Sequence, residues 1–335
     1  MSAICPAEFQ TLRDLFRYAV TRFEQADLVF GHGTDNALDE AAFIVLEGLN
    51  LPVDRLDIFL DARLTAAEKE RLAGLVEQRI ATRKPAAYLL NRAYIQGVPF
   101  YVDERCIVPR SFIGELLMTG LADPERGLID DPDNVETLLD MCTGGASLAI
   151  LAARVFPHAR IDAVDLSPDA LATAARNVAE HGLEDRITLH QGDLFAALPR
   201  AGRYDVILSN PPYVTQAAVE AFPPEYEAEP EMAHLGGEDG LDIVRKILEQ
   251  TPTHLAPGGV LICEIGMGRK ALEALRPDLP FLWLDTAASV GEVFMLAASD
   301  FIPRKSTRST AQKSDRSPSG KSAAPPASPG APRNR

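Results

Sequence analysis

The residues that most directly suggest chemistry are Ser209-Asn210-Pro211-Pro212-Tyr213, which close the short apolar segment YDVILSN. An asparagine side chain both accepts and donates, so it can pair with a planar primary amide, and a proline-constrained backbone carbonyl can accept a second N–H. Such pairing answers a particular difficulty. An amide nitrogen is a poor nucleophile because its lone pair is delocalised into the carbonyl. A site that aims the lone pair along the line of attack removes entropy cost before the barrier, and its acceptors can hold the positive charge developing on nitrogen. Asn210, Pro211 and Tyr213 are therefore the candidate catalytic residues. Pro212 completes the substrate-binding group, and the Tyr213 ring can pack against a planar acceptor. The plainer alternative is a Pro-Pro turn that ends a strand.

A second constellation lies upstream, where VETLLDM runs into Cys142-Thr143-Gly144-Gly145-Ala146 and then into SLAILAARVF. Small residues between a strand and a helix let a ligand approach the backbone, and the helix start offers unpaired N–H groups. The three spaced glycines of dinucleotide sites are missing, which disfavours a nicotinamide or flavin enzyme. Asp165 comes 21 residues beyond Gly144, at the end of the next predicted strand, where a carboxylate can accept from both hydroxyls of a ribose. Asp193 follows the third strand in QGDLF and can accept from an adenine amine, with Leu194 packing the ring. Each feature alone is commonplace. At successive strand ends they predict an adenosine ligand, because open α/β sheets bind ligands at the carboxyl ends of their strands. Ala146 is the weak point: if its φ is positive, its methyl costs more than a glycine would, although Gly145 can let the turn shift.

The frame for these residues is written in the hydrophobic pattern. From about Asn134 onward, apolar strands alternate with helical stretches: VETLLDM, SLAILAARVF, RIDAVDL, PDALATAARNVAEHG, RITLHQ and YDVILSN. That alternation predicts an α/β fold with a parallel sheet and helices on both faces. GLDIVRKILEQ and GGVLICEIG continue it, and FLWLDT and EVFMLAA are candidates for an antiparallel pair at the edge. Before this region, FQTLRDLFRYAVTRF, DEAAFIVLEGL and EKERLAGLVEQRI carry apolar residues at helical spacing, with Asn36 and Thr65 as caps and Glu68 completing a capping box. AYIQGVPFYVDERCIVPR reads as extended pieces punctuated by Gly97-Val98-Pro99, a hairpin between two domains. The expected division is a helical domain at 1–92, a hairpin linker at 93–110, a catalytic domain at 111–302 and a basic tail at 303–335.

Charge narrows the partners. Residues 301–335 hold eight Lys and Arg against one Asp, and the rest of the chain carries −22, giving −15 in all. An acidic body opposes general wrapping of nucleic acid and suits a basic protein partner. Cys5, Cys106, Cys142 and Cys263 lack paired spacing and read as reduced thiols. Neither they nor His181, His190 and His234 form a metal-like cluster, so the histidines read as surface or core residues and no metal is expected. No apolar run reaches a membrane span and no basic-then-apolar leader opens the chain, so a cytoplasmic protein is expected.

DMCTGGASLAI, AVDLSPDAL and SNPPYV resemble the seven-stranded methyltransferases that modify glutamine amides. Within that group the chain is similar to the PrmB-type enzymes, which act on the third large-subunit ribosomal protein. Val108-Pro109-Arg110-Ser111 followed by Ile113-Gly114-Glu115-Leu116 sets it apart from the HemK or PrmC-type enzymes that act on release factors. The similarity spans roughly residues 8 to 300. It implies a mostly parallel, Rossmann-like class I methyltransferase sheet with a small N-terminal helical domain, and S-adenosylmethionine as methyl donor. It also implies that residues 142–146, Asp165 and Asp193 contact the donor, that residues 210–213 hold the glutamine, and that Asn210 meets the donor as well. Arg110 is either part of the amide-acceptor side of the cleft or a solvent-facing or salt-bridged side chain. Relatives tend to have Cys-Thr-Gly-Ser-Gly where this chain has Cys-Thr-Gly-Gly-Ala, so the resemblance departs at Ala146.

Three rivals follow. The same chemistry can act on a release factor. A conjugated amine of a nucleic-acid base poses the same nucleophile problem, but needs a basic groove and base flipping. A protein that assists ribosome assembly without transferring methyl groups is the non-enzymatic alternative. The tail reads as a solvated extension, or as an arm making weak contact with ribosomal RNA.

Overall fold

The computed structural model describes residues 8–121, 127–129, 131–198 and 203–302. The basic tail and Cys5 lie outside them. Five helices come first: α1 (Leu12–Gln25), α2 (Ala37–Glu47), α3 (Leu56–Phe59), α4 (Ala66–Thr82) and α5 (Ala86–Leu90). Their starts follow from capping chemistry. Asn36 accepts from the Asp39 N–H, and Thr65 and Glu68 form the reciprocal box expected from sequence. A second box, Thr11 with Asp14, went unrecognised in the sequence because its acidic member is Asp. The apolar faces meet around Leu15, Phe23, Ile44, Leu72 and Val76. Arg79 is buried among these helices, its charge matched by Glu40 and its other N–H groups by the carbonyls of Val29 and Arg83. A cation in such surroundings is tolerable only when so paired.

A hairpin follows, β1 (Ala93–Ile95) and β2 (Val98–Phe100), turning through Gln96 and Gly97 at φ 49° and 73°. Two consecutive positive φ values give the turn whose twist suits a hairpin, so the corner lies one residue earlier than Gly97-Val98-Pro99 suggested. Pro99 sits within β2 opposite Tyr94. That pair neighbours the turn-closing Ile95 and Val98, at the position that exchanges no ladder bonds, so the missing N–H costs nothing. Next comes α6 (Phe112–Thr119), capped by Ser111, a helix that the sequence pattern did not reveal.

Seven strands build the main sheet: β3 (Thr137–Met141), β4 (Arg160–Asp165), β5 (Ile187–Gln191), β6 (Tyr204–Ser209), β7 (Leu255–Glu264), β8 (Leu282–Leu284) and β9 (Val293–Ala297). Their order is β5-β4-β3-β6-β7-β9-β8. The first five run parallel, and β9 inserts antiparallel between β7 and β8. Helices α7 (Ser147–Val155), α8 (Pro168–Glu180), α9 (Gln216–Val219), α10 (Asp242–Gln250) and α11 (Arg269–Leu275) complete the architecture. Period-two alternation divides the strands between two cores. Leu138, Val206, Leu208, Val260 and Ile262 face α6, α7 and α8, while Leu139, Met141, Ile207, Leu261 and Cys263 face α10 and α11. The chain runs outward from β3 to β5 and then returns to place β6 on the other side of β3. That reversal opens a crevice at the carboxyl ends of β3 and β6. Among the described residues, no helix is long and apolar enough to cross a membrane.

Candidate active site

Register brings the expected residues together. Met141 pairs with Val164 and with Ser209, and Asp165 pairs with Gln191, so four strands end in one row. Their following residues open onto a single cavity of about 510 Å³, within the range of small-molecule sites. Cys142, Thr143, Gly144, Gly145, Asp165, Asp193, Leu194, residues 210–213 and Arg110 all line it. Ala146 does not. It is fully buried at the start of α7 with φ 62°, so it contributes conformation and no surface.

The turn after β3 is held by a carboxylate that the sequence did not single out. Asp140 accepts from Thr143 Oγ1 at 2.6 Å and from the Ala149 N–H at 2.9 Å, stapling the turn to the first turn of α7. Burial pushes its carboxyl up to about 7. Asp165 accepts from the Gly144 N–H at 2.8 Å and, through its other oxygen, from the Ser167 N–H at 2.9 Å. Each oxygen keeps capacity for a further donor, such as a ribose hydroxyl. Burial raises the Asp165 pKa against the pull of those bonds. Asp193 stands at the mouth with Lys246 Nζ 3.9 Å away, and Leu194 is buried on the wall beside it.

On the β6 side of the cavity, Asn210 Nδ2 donates to the Arg110 carbonyl at 3.1 Å. Its Oδ1 accepts no hydrogen bond among the described residues and is the end able to take an N–H from an acceptor amide. Tyr213 Oη donates to Glu264 Oε1 at 3.1 Å; Glu264 also accepts from Ser111 Oγ at 2.6 Å and the Phe112 N–H at 2.9 Å. One buried carboxylate thus ties the Tyr213 ring to the N-terminus of α6. Burial raises the pKa of both Glu264 and Tyr213. The backbone of this segment is gripped by the following loop: the Val214 N–H donates to the His234 carbonyl, and the Gly236 N–H to the Val214 carbonyl, both at 2.8 Å.

Sequence reasoning missed a buried cluster behind this wall. Arg110 makes a two-pronged ion pair with Glu229, at 2.9 and 2.8 Å, while its backbone serves Asn210. Glu229 also accepts from the Val108 N–H at 2.9 Å and touches His234 Nε2 at 3.0 Å and His32 Nε2 at 3.4 Å. Burial alone would raise its pKa, but His234, His32 and Arg110 outweigh that and hold it far below the usual carboxylate range. Nearby, Glu225 pairs with Arg83, 2.8 Å from its Nε, and accepts from the Val29 N–H at 3.0 Å. Nothing local in PPEYEAEPEM marks two of its carboxylates as buried. His234, read as an ordinary surface or core residue, lines the cavity. Among the described residues, no group of three or more His, Cys, Asp or Glu side chains is arranged so that it could hold a metal ion.

A cavity that joins a glycine turn, a carboxylate with spare acceptor capacity and an asparagine whose Oδ1 accepts no bond among the described residues, set at the crevice of a seven-stranded sheet, suits an S-adenosylmethionine-dependent methyltransferase. Residues 125–222 match the methyltransferase small domain. The chain is 57% identical over 295 residues to a ribosomal protein uL3 glutamine methyltransferase of Bradyrhizobium diazoefficiens, covering 88% of this chain and 92% of that protein. Proteins of the same description from Bordetella pertussis and Burkholderia pseudomallei are 56% and 51% identical, covering 86% and 88% of this chain and 95% and 97% of theirs. The chain belongs to the ribosomal protein uL3 glutamine methyltransferase family.

Proposed function

We propose that this protein transfers the methyl group of S-adenosylmethionine to the side-chain amide nitrogen of a glutamine in ribosomal protein uL3. The observation that carries the reading is the fixed orientation of Asn210. Its Nδ2 is committed to the Arg110 carbonyl, which leaves Oδ1 as the acceptor on the cavity wall.

When bound, S-adenosylmethionine supplies an electrophilic methyl on a sulfonium. Asp165 is assigned to the ribose hydroxyls, Asp193 and Leu194 to the adenine, and residues 142–145 to the close approach of backbone, with Ala146 setting the turn. The residues present fit that donor: a carboxylate with spare acceptor capacity, an apolar wall and a turn with two glycines share one cavity. Asn210 Oδ1 accepts one N–H of the glutamine amide and the Pro211 carbonyl the other, so that the nitrogen lone pair points at the methyl. Pro212 and Tyr213 close over the planar group, and Arg110 holds Asn210 in place. Both acceptors gain strength as positive charge grows on nitrogen, which lowers the barrier selectively.

The same reading gives residues 1–92 the role of a helical domain, 93–110 a linker, 111–302 the transferase and 303–335 a basic extension, with the reaction in the cytoplasm. The test is transfer of labelled methyl to uL3 and to a release factor side by side, with mass spectrometry of the modified peptide. Label on a uL3 glutamine is the expected result. Label on the release factor alone would reassign the acceptor, and label on neither, with donor bound, would remove the enzymatic reading.

A further inference from the structure

Resting on the reading that Asn210 orients the acceptor amide, we propose that Glu229 is the positioning residue that sets this orientation, acting through Arg110 and His234. Glu229 does not line the cavity, and its side chain is fully buried. It nevertheless gathers two backbone segments, one holding Asn210 and the other holding Val214 just beyond Tyr213.

On one side, the Val108 N–H and the Arg110 guanidinium both end on Glu229, which ties residues 108–110 to one point. The carbonyl held there, that of Arg110, receives Asn210 Nδ2. This bond decides which end of the asparagine amide meets the acceptor. A flipped amide would set Oδ1 against the Arg110 carbonyl, two acceptors with no proton between them. On the other side, the His234 ring rests on Glu229 while its carbonyl receives the Val214 N–H. His32 brings a third contact, from the helical region almost 200 positions upstream.

Glu225 supplies the contrast. It lies four residues earlier, is equally buried, and binds Arg83 and the Val29 N–H, none of which hydrogen-bonds to residues 210–213 among the described residues. A purely structural carboxylate should behave as Glu225 does.

The experiment uses the full chain and its Glu229→Gln and Glu225→Gln variants. Calorimetric titration with S-adenosylmethionine counts competent sites and gives donor Kd, and steady-state transfer to uL3 gives kcat and KM per competent site. Glu229→Gln keeps the shape and one acceptor oxygen, so its expected signature is a loss of roughly tenfold or more in kcat per competent site with donor Kd within about threefold. Glu225→Gln is expected to unfold at lower temperature with kcat per competent site within about twofold of the unsubstituted chain. Should Glu229→Gln fail to fold, Arg110→Lys, which keeps the charge and loses the fork, is expected to show the same split between kcat and donor Kd. Wild-type kcat per competent site in the folded variant overturns the proposal. So does equal loss of kcat in Glu229→Gln and Glu225→Gln. Failure of the underlying reading shows separately, as absence of transfer to uL3 by the unsubstituted chain.

Discussion

At the scale of single residues, the proposed function gives Asn210 and Asp165 separable jobs. Asn210→Ala removes the group assigned to orienting the acceptor, a side chain that bonds to the Arg110 carbonyl and not to the β3 turn. It is expected to lower transfer by about 100-fold or more while leaving donor affinity within a few-fold. Asp165→Ala removes a carboxylate that also holds the Gly144 N–H, and is expected to weaken donor binding by roughly 10- to 100-fold. Equal loss of both properties in Asn210→Ala would contradict the division. Ala146 poses a finer question, because its φ of 62° realises the strain that its sequence position warned of. Left-handed alanine costs about 1 kcal/mol, but glycine there would lose a buried methyl and add unfolded-state freedom, each worth about 0.5–1 kcal/mol. Ala146→Gly is therefore expected to leave urea stability within about 1 kcal/mol, with donor Kd unchanged. A larger gain would show that the methyl fits badly.

At the scale of elements, the loop after residues 210–213 is built for close approach. Gly240 has φ 78°, and an added Cβ would sit inside contact distance of the Tyr213 carbonyl oxygen. Gly97, at φ 73° in the hairpin, has open space where its Cβ would go. Gly240→Ala is expected to cost about 2–3 kcal/mol and to reduce transfer, and Gly97→Ala about 1 kcal/mol with transfer intact. Similar losses in both, by chemical unfolding, would show that backbone conformation alone matters. The long amphipathic helices were readable because their apolar period and caps are local signals, as at Thr65 with Glu68. The helix α6 was not. FIGELLMT is short, apolar on most sides and contains a glycine, and it is held by Glu264, 152 positions away.

At the scale of the whole molecule, two buried carboxylates pull pH dependence in opposite directions. Burial pushes Asp140 up to about 7 from an ordinary 3.8, so between those values the folded chain keeps a proton that the unfolded chain releases. Stability from this group falls as pH rises through that window, by up to about 4 kcal/mol. Asp140→Asn should thus gain on the unsubstituted chain between pH 5 and pH 7.5 in urea unfolding, and a difference constant with pH would refute the assignment. Glu229 is held below its ordinary 4.5, so its contribution is present above that pH and disappears as pH falls further. Acid sensitivity is therefore expected to soften in Glu229→Gln.

Sequence alone was enough for the alternation of strands and helices, the residues ending β3, β4, β5 and β6, and the placing of residues 210–213 at the end of β6. These are legible because period, turn composition and capping act between residues close in the chain. Tertiary structure decided what lies between distant segments. It set the β9 insertion between β7 and β8, the Arg110 carbonyl against Asn210, and the burial of Asp140, Glu225, Glu229 and Glu264. A carboxylate looks the same in sequence whether it faces water or a guanidinium 119 positions away. Only the packing that removes the water tells the two apart.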